Sequence, residues 1–195
     1  MARQGSQERT SSSCCKTDKE DKAETDGATA VNRPLDVVFG SVDKNNAQRL
    51  RELNLQLFPV QYNLAFYKEV VSSPPGYAQL GRTTKLLGGV MLTICCRREP
   101  VKEGPVGLER TYIMTLGCWK AIAGLESVGS RLLEGVIAQS IHDGVVQVYL
   151  HVQTSNTAAL RFYRSLGFEA TQILRNYYKR IDPPDCYVLR RQLTP

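Results

Sequence analysis

Two histidines are the side chains of this sequence best suited to moving a proton near neutral pH. His142 lies beside Asp143 at the end of a predicted helix, where a cation complements the helix dipole, so we expect a structural role for it. His151 lies in YLHVQ, within an apolar run typical of a buried strand. A lone histidine on such a strand is more often structural than catalytic, so residue type alone leaves both interpretations of His151 open.

Two tyrosines could assist such a base. Tyr112 begins the run TYIMTLG, and Tyr163 lies in ALRFYRSLGF. A phenol has a pKa of about 10, so it is a poor base unless its surroundings shift that pKa or it acts as a relay. Without further context, Tyr112 is best interpreted as a packed strand residue and Tyr163 as a residue of an amphipathic helix.

The cysteines indicate no metal site. They form two adjacent pairs and two single positions: Cys14–Cys15, Cys95–Cys96, Cys118 and Cys186. No pair has the C-x-x-C spacing or the histidine partners of a zinc site. Unpaired thiols are typical of a reducing compartment, which predicts a cytoplasmic protein that could also enter the nucleus.

The elements that position these residues follow a clear order. LDVVFG predicts a strand, and two helices follow, with Asp43 and Asn63 as their expected N-caps. A hairpin through RTTK and the run TYIMTLGCW supply three more strands. VGSRLLEGVIAQSIHDG is a helix ended by Gly144, VVQVYLHVQ is a strand, and Asn156 caps the next helix. FEATQIL and CYVLRRQL are the last strands. This order predicts a mixed α/β domain.

Charge and apolar content divide the chain in two. Residues 1–33 have almost no aliphatic side chains, which predicts a disordered tail before a domain at 34–195. Residues 1–34 hold six basic and six acidic side chains, so the net charge of +6 lies in residues 35–195. Such a domain suits an anionic partner, although a merely solvated surface explains the excess equally well. No apolar run approaches the roughly 20 residues of a membrane span, so no membrane partner is expected.

Four stretches carry a family resemblance: FPVQYNLAFY, RTYIMTLGC, VYLHVQTSNTAALRFYRSLGF and NYYKRIDPPDCYVL. Together they resemble the GNAT superfamily, and within it the NatE-type N-terminal acetyltransferases, over essentially residues 35–190. The resemblance implies a split mixed β-sheet flanked by about four helices, with acetyl-CoA between two splayed parallel strands and no metal. The implied reaction transfers acetyl to the N-terminal amine of proteins, chiefly those that retain Met.

Site residues follow from the same resemblance. His151 becomes a general base acting through water, Tyr112 its partner base or water-orienting group, and Tyr163 the group that meets the CoA sulfur. The implied acetyl-CoA contacts are Leu116, Gly117, Cys118, Gly124, Val128, Gly129, Ser130, Arg131 and Asn156. The pyrophosphate is expected at the N-terminus of a helix that starts near Val128, where backbone N–H groups are unpaired.

Two loops and one methionine are the implied walls of the peptide channel: Phe58, Pro59, Val60, Tyr62, Met114, Tyr177, Tyr178, Lys179, Arg180 and Ile181. Protein N-termini are the implied partners, together with the NatA complex and the ribosome. The YYKR run could instead contact a nucleic acid, but the basic residues are scattered, so no direct nucleic-acid partner is expected.

One segment departs from the family. GNAT enzymes carry Arg/Gln-x-x-Gly-x-Gly/Ala around the pyrophosphate, whereas this sequence reads AGLESVGS, with Glu126 and Ser127 where a glycine belongs and Ala123 in place of the basic residue. Weakened acetyl-CoA binding is therefore expected. Two alternatives to an active N-terminal acetyltransferase follow: an inactive relative that serves as a NatA-associated binding subunit, and a GNAT enzyme acting on lysine side chains or small amines.

Overall fold

A computed structural model of the protein describes residues 37–83, 90–102, 105–118 and 125–193. The predicted tail at 1–33 and the RTTK turn beyond residue 83 lie outside these ranges. The described residues form seven strands and four helices, in this order: β1 (Val37–Ser41), α1 (Ala47–Leu57), α2 (Leu64–Val71), β2 (Ala78–Thr83), β3 (Val90–Pro100), β4 (Glu109–Cys118), α3 (Leu125–His142), β5 (Gln147–Gln153), α4 (Thr157–Ser165), β6 (Glu169–Leu174) and β7 (Cys186–Gln192). The predicted order is confirmed.

Local capping explains where most helices begin and end. The Asn63 side chain accepts a hydrogen bond from the Phe66 N–H at the start of α2, and Asn156 does the same for α4. Gly144, with φ at 72°, follows α3 and supplies the left-handed conformation of a helix stop. The predicted cap at Asp43 is wrong: its carboxylate accepts the N–H groups of Asn45 and Asn46, which closes the turn before α1.

One sheet in the order β1-β2-β3-β4-β5-β7-β6 contains all seven strands. Its neighbours are antiparallel except β4 and β5, which are parallel. These two strands pair only from Arg110 to Tyr112, opposite Gln147 to Tyr149, and then separate. The sheet is therefore split along its length, so the predicted GNAT fold is confirmed.

Helices cover both faces of the sheet. One core joins α3 and α4 to the strand residues Ile113, Val148 and Leu150. The other joins α1 and α2 to Tyr112 and Tyr149, among other strand residues, because side chains alternate between faces along a strand. Among the described residues, no helix has both the length and the apolar character to cross a membrane.

Candidate active site

A tyrosine and a histidine meet where β4 and β5 begin to separate. His151 Nδ1 lies 3.2 Å from the Tyr112 hydroxyl and 3.3 Å from the hydroxyl of Tyr177, which arrives from the loop between β6 and β7. The Tyr177 ring stacks on the imidazole with centroids 4.6 Å apart. Tyr112 is almost fully buried, whereas His151 keeps partial exposure. The structure thus brings together the two residues predicted to handle the proton, at the mouth of the split.

A charged network lies directly behind this pair. The Tyr149 hydroxyl donates to Glu99 Oε1 over 2.5 Å, and the Tyr149 ring stacks on Tyr112 with centroids 4.9 Å apart. Arg110 holds the same carboxylate through its Nε, at 2.8 Å, and its Nη2, at 2.7 Å. The guanidinium of Arg110 also covers the Tyr149 ring, 4.5 Å from its centroid. Two strands and a hydrogen-bonded carboxylate therefore fix the orientation of the Tyr112 ring.

The network shifts the pKa of Glu99 and the pKa of Tyr149. Burial by itself would raise the pKa of Glu99, but the Tyr149 hydroxyl and the Arg110 and Arg97 guanidinium groups outweigh it, and the pKa lies below its ordinary value of 4.5. Burial, followed by the Glu99 carboxylate, raises the pKa of Tyr149 well above that of a free phenol. Near neutral pH, Glu99 is an anion and Tyr149 a neutral donor.

The predicted channel walls converge around the Tyr112–His151 pair. On one side, Phe58 contacts the Tyr62 ring edge-on, and Tyr62 stacks on Phe66 with centroids 4.4 Å apart. On the other side, Tyr177 packs against Tyr178, and both are buried. Burial raises the pKa of Tyr178, with Tyr62 among the smaller contributors, which indicates that the two walls approach each other.

The remaining predicted wall residues differ in exposure. Met114 is buried on the same face of β4 as Tyr112, whereas Pro59, Lys179 and Arg180 are exposed. Val60 and Ile181 are half-buried. The wall thus consists of a buried aromatic floor with a rim of exposed and half-buried residues, three of them apolar.

Asp185 anchors the loop that carries Tyr177. Its Oδ1 accepts the backbone N–H of Asn176 over 2.8 Å, and its Oδ2 pairs with Arg175. The N–H of Asn176, then Arg175, hold the pKa of Asp185 below its ordinary value. Because Asn176 adopts a positive φ of 53°, this hydrogen bond stabilises the turn that directs Tyr177 to His151.

The β4 residues predicted to contact acetyl-CoA have distinct surroundings. Leu116 is buried in the core beneath α3, and Cys118 is half-buried at the end of the strand. A Cβ atom on Gly117 would lie 2.8 Å from both Leu57 Cδ1 and Phe58 Cζ. Gly117 is therefore required for the close approach of the peptide wall to β4, a packing role that the sequence interpretation did not assign.

The start of α3 differs from the prediction. The helix begins at Leu125 instead of near Val128, so Gly129 and Ser130 lie in its second turn, where N–H groups bond to carbonyls four residues earlier. Their amides are not those of the helix terminus, and Gly124 and Ala123 lie outside the described residues. Val128 packs in the core, and the Arg131 guanidinium lies 5.6 Å from the Phe39 ring centroid.

Tyr163 lies on α4 and Asn156 precedes it, on the opposite face of the sheet from Tyr112 and His151. Tyr163 is fully buried and packs edge-on against Phe168 at 5.5 Å. Asn156 caps the helix by accepting the Ala159 N–H over 3.0 Å. Both have evident structural roles, and their predicted contacts with acetyl-CoA remain predictions.

Glu99, Arg110 and Tyr149 were absent from the residues that the sequence singled out. A pattern was nevertheless present, because Arg110 and Tyr149 each lie two residues before a predicted catalytic residue and so share its face of the strand. Glu99 faces Arg110 across the β3–β4 hairpin. That pairing depends on the register of the hairpin, which the sequence did not indicate.

Comparison with known proteins agrees with this fold. Residues 47–168 match the profile of the acetyltransferase (GNAT) family. N-alpha-acetyltransferase 50 of Danio rerio is 36% identical over 158 residues, which cover 80% of this chain and 89% of that protein. The probable N-acetyltransferase san of Drosophila melanogaster is 34% identical over 158 residues, 80% of this chain and 81% of that one. Arabidopsis thaliana Naa50, solved with the bisubstrate analogue CoA-Ac-MVNAL, superposes with a TM-score of 0.72 at 35% identity, over 80% of this chain and 99% of its own.

Proposed function

This chain belongs to the acetyltransferase (GNAT) family, and from that membership we propose that it acetylates protein N-termini that retain their methionine. It is an N-terminal acetyltransferase that uses acetyl-CoA as its acetyl donor, like the relatives it matches across most of their length. The observation that carries the proposal is the 3.2 Å contact between Tyr112 and His151 at the mouth of the split between β4 and β5.

The chemistry requires a neutral amine. An N-terminal ammonium has a pKa of about 7.7–8.0, so near neutral pH a modest base suffices to remove its proton. His151 serves as that base, directly or through a water molecule, and the Tyr112 hydroxyl holds the imidazole or the water in place. Tyr177 stacks on the imidazole and fixes its plane. The proton thus passes to the imidazole as the amine becomes a nucleophile.

The split sheet fits acetyl-CoA. Beyond Tyr112 on β4 and Tyr149 on β5, the facing edges of these two described strands do not pair with each other. Buried backbone N–H and C=O groups require partners, and the amides of the CoA arm offer complementary donors and acceptors. Bound there, acetyl-CoA would supply the electrophilic carbonyl carbon. As the amine nitrogen bonds to this carbon, the carbon–sulfur bond breaks, and CoA leaves as a thiol that takes up the second proton released by the nitrogen. Leu116, Gly117 and Cys118 lie along the part of β4 that faces the gap.

The residues of the predicted channel walls support selection of a first methionine. Met114, Phe58 and Tyr178 are buried side chains that offer apolar contact to a flexible thioether side chain. Tyrosine hydroxyls can in addition bind the backbone of the entering peptide. A methionine side chain would make more apolar contact with these residues than the alanine or serine of a processed N-terminus.

The test is acetylation of a synthetic Met-Val-Asn-Ala-Leu peptide by the purified protein, followed by mass spectrometry. We expect His151→Ala to lower kcat by roughly 10²–10⁴-fold, the usual contribution of a general base, without loss of acetyl-CoA binding in calorimetry. A peptide that begins with alanine should give a higher KM. Undiminished kcat in the His151→Ala variant would contradict the assignment of the base.

A second candidate function rests on the AGLESVGS segment. Glu126 lies in the first turn of α3, where a carboxylate competes with a phosphate group for the helix N-terminus. If acetyl-CoA binds too weakly for turnover, the chain acts as a binding subunit of the NatA complex at the ribosome. Calorimetry with acetyl-CoA separates the two, because only the enzyme requires affinity in the physiological range.

In either role we place the protein in the cytoplasm and nucleus, in keeping with Cys95, Cys96, Cys118 and Cys186, which form no disulfide within the described residues.

A further inference from the structure

A basic cavity of about 360 Å³ opens where β4 and β5 begin, at the far end of the sheet from the split. Three cationic side chains line it, those of Lys102, Arg110 and Arg190. The amides of Gln147 and Gln192 and two valines complete the lining, and none of these described residues is acidic. Cations and amides that converge on one concave surface form a site for an anion.

The cavity offers hydrogen-bond donors that the described part of the protein does not fully use. Arg110 is engaged by Glu99, but the described residues contain no acid paired with Arg190, whose Nε is buried without a hydrogen-bond partner there. The Arg190 side chain lines the cavity, and the other N–H groups of its guanidinium would donate to a carboxylate oxygen. Lys102 is exposed at the rim and adds a second positive charge.

Strand register places this cavity on the same face as the catalytic pair. Gln147, Tyr149 and His151 alternate along β5 and therefore share one face. Arg190 on β7 lies opposite Tyr149 on β5, and Arg110 on β4 lies opposite Gln147 on β5. The cavity and the Tyr112–His151 pair thus lie on one face of the sheet, with the buried Tyr149 between them.

We propose that this cavity binds the side-chain carboxylate of an acidic residue at the fourth or fifth position of the substrate protein. Gln147 precedes His151 by four residues, a distance of about 13 Å along a strand. An extended peptide covers about 3.3–3.6 Å per residue, so its fourth or fifth residue reaches the cavity when its amine lies at His151. The inference rests on the proposed function, since it assigns part of the same substrate to a second contact.

Two peptides test it: Met-Val-Asn-Glu-Glu-Gly-Gly-Arg and the same sequence with two glutamines in place of the glutamates. We expect the KM of the acidic peptide to be about fivefold lower than that of the glutamine peptide, an effect typical of one partly exposed ion pair. This ratio of the two KM values should be smaller at high salt. The variants Arg190→Gln and Lys102→Gln should each reduce that ratio. Arg161→Gln is the matched control, because this exposed arginine lies on α4, on the other face, and should leave the ratio unchanged.

The outcomes separate the inference from the proposed function. Acetylation of both peptides with equal KM would overturn the acidic subsite and leave the N-terminal acetyltransferase standing. Acetylation of neither peptide would overturn both. Because Lys102 is exposed, the Lys102→Gln variant is expected to fold even if Arg190→Gln does not. A ratio of KM values that neither Lys102→Gln nor salt changes would also contradict the inference.

Discussion

Tyr149 and Glu99, 50 residues apart in the chain, are joined by a hydrogen bond of 2.5 Å, and the Tyr149 ring stacks on Tyr112, one of the two proposed catalytic residues. The contact links the β3–β4 hairpin to β5 directly behind the proposed base. A neutral phenol donating to an ionised, partly buried carboxylate is a strong interaction, so it resists rotation of either side chain. Tyr149 therefore acts as a positioning residue for Tyr112.

The first prediction concerns this contact. Tyr149→Phe keeps the ring but loses the hydroxyl, and we expect kcat to fall about tenfold. This loss is smaller than the roughly 100-fold that a 1 Å displacement of a catalytic group causes, because the ring still packs on Tyr112. KM for the peptide should change little. Tyr77→Phe is the matched control, because it removes a comparable hydroxyl–carboxylate bond, to Asp143 at 2.9 Å, away from the site. Equal kcat losses in the two variants would reduce Tyr149 to a structural role.

Tyr112 and His151 should behave as one unit. Tyr112→Phe removes the hydroxyl that lies 3.2 Å from Nδ1, and we expect a kcat loss of roughly 10²-fold or more, as for a participant in proton transfer. In the double variant with His151→Ala, the losses should combine to less than their product, because the two residues serve one step. Steady-state kinetics of the four proteins measures this coupling, and independent, multiplicative losses would argue against a shared role.

Gly117 should tolerate no side chain without cost to peptide binding. In Gly117→Ala, the new Cβ would lie 2.8 Å from Phe58 Cζ, so the phenyl ring must move. We expect a higher KM for the peptide and a loss of about 1–3 kcal/mol in the free energy of unfolding, typical of overpacking. Gly135→Ala in α3 is the control, since no atom lies within 4 Å of its new methyl group and the helix should gain about 0.5–1 kcal/mol. If the KM for the peptide were unchanged in Gly117→Ala, the prediction that the new methyl group disturbs the peptide wall would be wrong.

Acid should destabilise the fold through Glu99. Its pKa in the folded protein lies below the ordinary value of 4.5, so its contribution to stability is present above about pH 4.5 and is lost as pH falls through the folded pKa. Glu99→Gln lacks this titration. Denaturant unfolding between about pH 7 and pH 3 should therefore show a smaller decline for Glu99→Gln than for the parent protein. Parallel declines would show that other carboxylates, such as Asp143, dominate.

The AGLESVGS segment should limit acetyl-CoA affinity. Because α3 begins at Leu125, Glu126 is an acidic residue in the first turn of the helix at which the pyrophosphate is expected to bind. Glu126→Gly should recover part of the affinity, and a shorter, glycine-regular turn with a basic residue for Ala123 should recover more. Glu134→Gly, in the same helix, is the control for lost helix propensity. Calorimetry that finds the parent protein binding as tightly as the repaired one would contradict this prediction.

The sequence by itself determined the secondary structure and the family. Hydrophobic periodicity and local capping depend on residues within a few positions of one another, so Asn63, Asn156 and Gly144 marked helix ends correctly. The failure at Asp43 has the same local origin, because aspartate closes a turn before a helix as readily as it caps one. The motifs around Tyr112 and His151 identified the proposed catalytic pair.

Only the tertiary structure decided what surrounds that pair. Glu99, Arg110 and Tyr149 lie on three strands, and their contacts depend on register, which turn geometry and the packing of both faces determine together. The closeness of Phe58 to Gly117 likewise depends on how α1 packs on β4. Such contacts join residues from 11 to 50 or more positions apart, where no local pattern records the pairing. Periodicity could predict the face of each strand, but only the folded sheet brings the faces together.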